Sequence, residues 1–183
     1  MANFAAGRLL VASPKLTDPN FARTVVFIGM HDENGAFGLV LNRPLDVEVA
    51  DHLEGWESVV TSPAVIFMGG PVDTSSVVGL ARPLDATLSG WSEMSAGVGI
   101  VDLRQPGSEI APGVAALRMF LGYAGWTAGQ LEQELEEDAW FVVDVEHDDI
   151  FTGDPGRLWH RVLRRQPGKL AMFAYFPEDP TLN

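Results

Sequence analysis

The segment Leu117 to Leu135 constrains the fold most, because an apolar, strand-like stretch runs through Gly122, Gly125 and Gly129 and continues as a helix. Glycines at such a place free the backbone from Cβ restrictions, and a helix start presents unpaired amides and partial positive charge. This predicts a strand-to-helix turn that exposes amide donors, with Thr127 as N-cap and Gln130 three positions on completing a capping box. Two readings of the turn stand. Gly125 to Gln130 holds a phosphate or carboxylate, or the glycines simply allow strand and helix to pack closely while Thr127 and Gln130 occupy the amides. A P-loop lysine and the G-x-G-x-x-G spacing of a dinucleotide fold are both missing.

The rest of the chain punctuates itself clearly. Leu9 to Ala12 is a short strand candidate closed by Ser13-Pro14. Thr24 to Met30 and Ala36 to Leu41 flank the polar turn Asp32-Glu33-Asn34-Gly35 and predict a β-hairpin. Further strands are expected at Ala64 to Met68, Ser76 to Ala81, Val98 to Leu103, Leu117 to Tyr123 and Trp140 to Val145. A second helix is expected over Pro155 to Gln166, with Leu158, Trp159, Val162 and Leu163 as its apolar stripe. Val25 to Gly29 is echoed by Val65 to Gly69, Arg43-Pro44-Leu45-Asp46 by Arg82-Pro83-Leu84-Asp85, and Leu53 to Trp56 loosely by Leu88 to Trp91. A duplicated hairpin and shared turn chemistry both account for these echoes.

Composition narrows the function classes. A chain of 183 residues suits one domain. Without cysteine it has no disulfide, thiolate nucleophile or thiolate-held zinc. No apolar stretch reaches the ~20 residues that span a bilayer, and Met1 to Pro14 lacks a signal-peptide pattern, so a cytoplasmic location without membrane attachment is expected. A net charge of −13 makes direct nucleic-acid binding an unfavourable starting point. That charge is segregated: Met119 to Gly156 holds ten acidic residues and no Lys or Arg, whereas Arg157 to Pro177 holds Arg157, Arg161, Arg164, Arg165 and Lys169 and no acid.

Three segments together resemble the AlgH/YqgE family: Gly35-Ala36-Phe37-Gly38-Leu39-Val40-Leu41-Asn42-Arg43-Pro44, then Gly69-Gly70-Pro71-Val72, then Gly122-Tyr123-Ala124-Gly125-Trp126 continuing through Gly129-Gln130-Leu131-Glu132 to Glu134. Ser13-Pro14, Asp18 to Phe21, Trp140 and the ending Asp179-Pro180-Thr181-Leu182-Asn183 extend the likeness over almost the whole chain. The resemblance implies a single α+β domain over residues 1–183, with a mixed, bent β-sheet containing hairpins and flanked by helices. It supplies no catalytic residue, cofactor or metal to carry over, and its older label is transcriptional regulator. The likeness is weakest between Ala81 and Gln105, where half of the echoed hairpin lies.

Two sets of residues emerge as candidates. Asn42 and Arg43 at a strand end, Gly69 and Gly70 at a turn, and Gly122, Tyr123, Gly125, Trp126, Thr127 and Gln130 are candidate ligand-binding residues if the three turns meet in one cleft. Against that, Arg43 suits a salt bridge to a nearby carboxylate, Asn42 the satisfying of turn amides, and Gly69-Gly70-Pro71 a tight turn. Arg157, Arg161, Arg164 and Arg165 form a basic helix face for an acidic protein partner, or an intramolecular match to the acidic helix Leu131 to Asp138. His31, His52, His147 and His160 lack metal-ligand spacing, and Glu146-His147-Asp148-Asp149 reads as a solvated turn. No G-x-S-x-G elbow or paired nucleophile and base is present, so no catalytic residue is assigned. The leading expectation is a non-enzymatic binding or regulatory protein acting through a protein partner. The alternatives are a small anionic-ligand-binding protein or enzyme with its site at the glycine turns, and direct transcriptional regulation. Oligomeric state is not legible in the pattern.

Overall fold

The computed structural model describes residues 5–178. The sheet is built on a meander in which β1 (Leu9–Ala12), β2 (Val25–Asp32) and β3 (Gly35–Val40) pair antiparallel, with the β2–β3 turn where the polar Asp32 to Gly35 segment predicts it. Leu9 and Val11 enter one core with Val25, Phe27 and Leu39, while Leu10 enters a second with Val26, Ile28 and Val40. The strands are therefore covered on both faces, which is why they read as unbroken apolar runs.

Further strands are β4 (Pro44–Glu48), β5 (Val65–Met68), β6 (Val72–Pro83), β7 (Trp91–Ser95), β8 (Val98–Val101), β9 (Val114–Thr127) and β10 (Trp140–Val143). The sheet order is β10-β1-β2-β3-β9-β6-β8-β7, with β5 joined to β9 and β4 joined to β5. Pairing is antiparallel except between β5 and β9, so the sheet is mixed. It is also bent: β2 bulges between Ile28 and Met30, and the far strand β7 curls back until the Ser95 hydroxyl donates to the Gly29 carbonyl at 2.9 Å.

Among the described residues three α-helices flank this sheet: the single turn α1 (Gly107–Ile110), α2 (Gln130–Glu136) and α3 (Leu158–Arg164). α3 buries Leu158, Trp159, Val162 and Leu163 against the first core, as its stripe predicts, and α2 buries Leu131 in the second. A third core gathers Val49, Trp56, Ile66, Leu117 and Met119. Arg118 is fully buried on the other face of β9, against the first core, donating to the carbonyls of Thr152 and Ser62, both at 2.9 Å, with its guanidinium 4.3 Å from the Phe67 ring centroid. Burial pushes its pKa down to about 10.

The structure corrects two expectations. The echoed hairpins are not a repeat, because β2 pairs with β1 and β3 whereas β5 pairs with β4 and, in parallel, with β9. Nor does a strand end at the glycines: β9 runs fourteen residues through Gly122 and Gly125 to Thr127. The family-like ending Asp179 to Asn183 lies outside the described residues.

Candidate functional site

β9 continues past Gly122 because pairing on both sides holds it, with β6 and β5 first and then with β3 as far as Thr127. The glycines serve a close crossing of chains. Gly70 has φ +154°, and a Cβ there would lie 2.2 Å from the Tyr123 carbonyl; Gly122 has φ +69°, and a Cβ there would lie 2.6 Å from the Gly70 carbonyl oxygen. Gly69 completes the crossing: its amide donates to Leu121 and its carbonyl accepts from Val40, both at 2.9 Å. The Gly69-Gly70-Pro71 segment is thus threaded between β3 and β9.

The helix start also differs from expectation. Gly129, in the left-handed conformation, is the N-cap of α2, and Thr127 remains in the strand. Half of the expected capping box survives, since the Thr127 amide donates to Gln130 Oε1 at 3.0 Å. Gln130 also donates to Glu134 Oε1 at 3.0 Å, while Glu134 Oε2 accepts from the indole N–H groups of Trp126 and Trp140 at 2.9 and 2.8 Å. Phe21 packs against both indoles, 6.1 and 5.5 Å from their centroids. Trp126, Gln130 and Glu134 therefore form one closed network that fastens α2 to β9 and β10. Two buried indole donors share one charged acceptor, an arrangement that fixes ring orientation.

Asn42 and Arg43 follow β3. Asn42 accepts from the Val25 amide at 2.9 Å and donates to the Arg23 carbonyl at 2.9 Å, so it satisfies turn amides as its position suggests. Among the described residues Arg43 makes no salt bridge. Its guanidinium donates to the carbonyls of Pro19, Asn20 and Ala22 at 2.7, 2.9 and 3.1 Å, holding the loop that leads into β2. Burial lowers its pKa, partly offset by the charge of Asp18. Arg43 and Gly70 do line one cleft with Met68, Pro71 and Thr74, of about 280 Å³. Trp126 is buried in the second core, while Thr127 and Gln130 are exposed at the start of α2, so the candidate ligand residues are divided between separate places.

The four arginines of α3 and its flanks show a different use. Arg165 grips Asp149, which is only 1% exposed, through contacts of 2.8 and 2.6 Å, and also donates to the Asp144 carbonyl at 3.0 Å. Arg161 donates to Thr152 Oγ1 and the Asp148 carbonyl at 3.2 and 3.3 Å. The matching segment is thus the loop Asp144 to Asp154, not the acidic helix, and Asp149 is a buried ion-pair partner within what reads as a solvated turn. Arg157 is 3.7 Å from Asp154, and its side chain is 84% exposed. Arg164 is also exposed and reaches over Tyr175, its guanidinium 5.8 Å from the ring centroid. All four arginines and His160 line an open groove of about 900 Å³ in which Asp154 is the single carboxylate.

A second groove, of about 560 Å³, lies beside α3 and has no motif to announce it. Its apolar wall comes from Met172, Tyr175 and Phe176, in and just after the 3₁₀ segment Gly168–Tyr175. The cluster of large apolar residues there, Met-Phe-Ala-Tyr-Phe, is the signal that sequence reasoning passed over. Among the described residues no group of three or more His, Asp or Glu side chains is placed to hold a metal ion, and no helix is long and apolar enough to cross a membrane.

Known proteins match nearly the whole of this architecture. A family model described as AlgH-like matches residues 9–171. Proteins named UPF0301 from Streptomyces avermitilis and Streptomyces coelicolor are each 50% identical over 97% of this chain and 94% of their own length. Among solved structures, a crystal structure of a Corynebacterium diphtheriae protein is 33% identical with a TM-score of 0.86, covering 93% of this chain and 92% of that one. The solution structure of AlgH from Pseudomonas aeruginosa is 29% identical with a TM-score of 0.69, covering 98% and 97%. Sequence, family pattern and chain path agree: this chain belongs to the AlgH-like, UPF0301 family.

Proposed function

We propose that the protein works by binding, and that the outer face of α3 receives an acidic protein partner. The observation that carries this reading is the open groove in which Arg157, Arg161, Arg164 and His160 converge with one carboxylate, on a chain whose net charge is −13. Such a local reversal of sign on an acidic protein steers an oppositely charged surface and repels most others. Arg161 and Arg165 position the loop Asp144 to Asp154, which leaves Arg157 and Arg164 as the cations most available to a partner.

The test uses a fluorescein-labelled polyglutamate peptide and a labelled DNA duplex, each titrated with the protein at low and high ionic strength. The peptide is expected to bind, to weaken with salt, and to lose at least tenfold in affinity to the Arg157→Glu/Arg164→Glu variant, about 1.4 kcal/mol. Equal binding by the variant removes this face as the site. Tighter binding of DNA than of the peptide replaces the reading with direct nucleic-acid recognition.

A further inference from the structure

We infer that the apolar groove beside α3 takes the anchor of that same acidic partner, so that one extended peptide carries aromatic or aliphatic side chains into this groove and carboxylates across the arginine face. The inference rests on the reading just proposed and names the chemistry of the partner.

The floor of the groove is rigid. Trp159 is buried, and its indole N–H donates to the Ala12 carbonyl at 3.0 Å. Its wall is apolar and open, with Met172 66%, Tyr175 75% and Phe176 47% exposed. Among the described residues, these are three of the six exposed large apolar side chains, gathered on one feature while Met30, Val72 and Leu84 lie elsewhere. Scattered exposed apolar residues are ordinary, whereas a contiguous set rimmed by charge marks an interaction surface.

Charge selects the occupant. Arg23 lies over the Trp159 ring at 4.5 Å from its centroid and donates through Nη2 to the Phe176 carbonyl. A guanidinium thus sits in the groove lining, and among the described residues Glu178 is the one lining carboxylate. An occupant that carries a carboxylate beside its apolar side chain complements this guanidinium by charge.

The two grooves also adjoin. Trp159 of the apolar groove meets His160 of the basic one edge-on at 5.1 Å, and Tyr175 of the apolar wall lies beneath Arg164. A bound strand leaving the apolar groove at Tyr175 therefore passes directly onto Arg164. Apolar side chains in a fitted groove set affinity, and rim charges set orientation and encounter rate.

The experiment selects random linear peptides displayed on phage against the wild-type protein, then measures a recovered peptide and its apolar-to-Gly version by fluorescence anisotropy. Recovered peptides are expected to combine acidic residues with a neighbouring aromatic or aliphatic pair, and the Gly version to bind at least tenfold more weakly. Met172→Gln/Tyr175→Gln should erase that difference while leaving the weaker acidic binding in place, and the Met172 methyl NMR signal should shift only with the apolar peptide. Acidic peptides with no apolar preference, or a Met172 methyl that does not move, overturn the anchor and leave the basic face standing. A selection that enriches no acidic peptides overturns the basic face as well.

Discussion

The glycine crossing around Gly70 and Gly122 and the paired grooves along α3 are opposites in how they use their residues. At the crossing, nearly every polar group is committed inward: Arg43 to three carbonyls, Asn42 to two backbone groups, Gly69 to both neighbouring strands. Along α3, Arg164, Met172 and Tyr175 are exposed, and one donor of the Arg23 guanidinium has no acceptor among the described residues. The motifs that stand out most in the sequence therefore specify the fold, and the open chemistry lies where the pattern is quiet. A glycine or arginine that backbone geometry demands leaves a motif, whereas an adaptable surface does not.

Gly70→Ala is the strongest way to break this comparison. The added Cβ would meet the Tyr123 backbone at 2.2 Å, where no flexible side chain can yield, in a conformation that L residues rarely adopt. The expected loss is about 4 kcal/mol or failure to fold, read by urea denaturation. A loss under about 1 kcal/mol would show that the crossing tolerates displacement, as a binding loop does. Arg43→Met should follow at about 2 kcal/mol, because three carbonyls lose a charged donor but part of the loop can turn to water. Arg164→Glu along α3 should shift stability by no more than about 0.5 kcal/mol. Equal losses for Arg43 and Arg164 would erase the distinction between the two regions.

The same contrast explains what could be read in advance. The β2–β3 hairpin and the α3 stripe follow from local chemistry, since a polar Asn-Gly turn and apolar residues three and four apart declare themselves within a few positions. The continuation of β9 beyond Tyr123 is hidden because Gly122 and Gly125 argue locally for a strand end, and only pairing with β3 and β6 overrides them. β4 begins at Pro44 and β7 carries Ser92, Glu93 and Ser95, poor strand signals that edge positions allow. For the site, the arginine spacing on α3 was visible while the division of labour was not. Arg165 and Arg161 are distinguished from Arg157 and Arg164 by a loop folded back from earlier in the chain. The apolar groove depends on the loops around Leu16 and Arg23 meeting Met172 and Phe176, a juxtaposition without any local trace.

His160 sharpens the comparison by the smallest effect, because it reports the field between the two grooves. Partial burial, then the charges of Arg23 and Arg164, hold its pKa below the ordinary histidine value, with Glu178 opposing them. The folded chain thus binds this proton less readily than the unfolded chain, so its contribution to stability is present above about pH 6.5 and is lost as pH falls through that value and the lower folded one. His160→Gln should flatten this part of the stability profile. Arg164→Glu removes one lowering charge and adds a raising one, so the NMR titration midpoint of His160 should move up, and an acidic peptide seated on the face should move it the same way. Binding of such a peptide then takes up a proton and tightens as pH falls through the window. A midpoint indifferent to Arg164→Glu would mean that the cations along α3 act singly, and the two grooves would have no shared field with which to hold one partner.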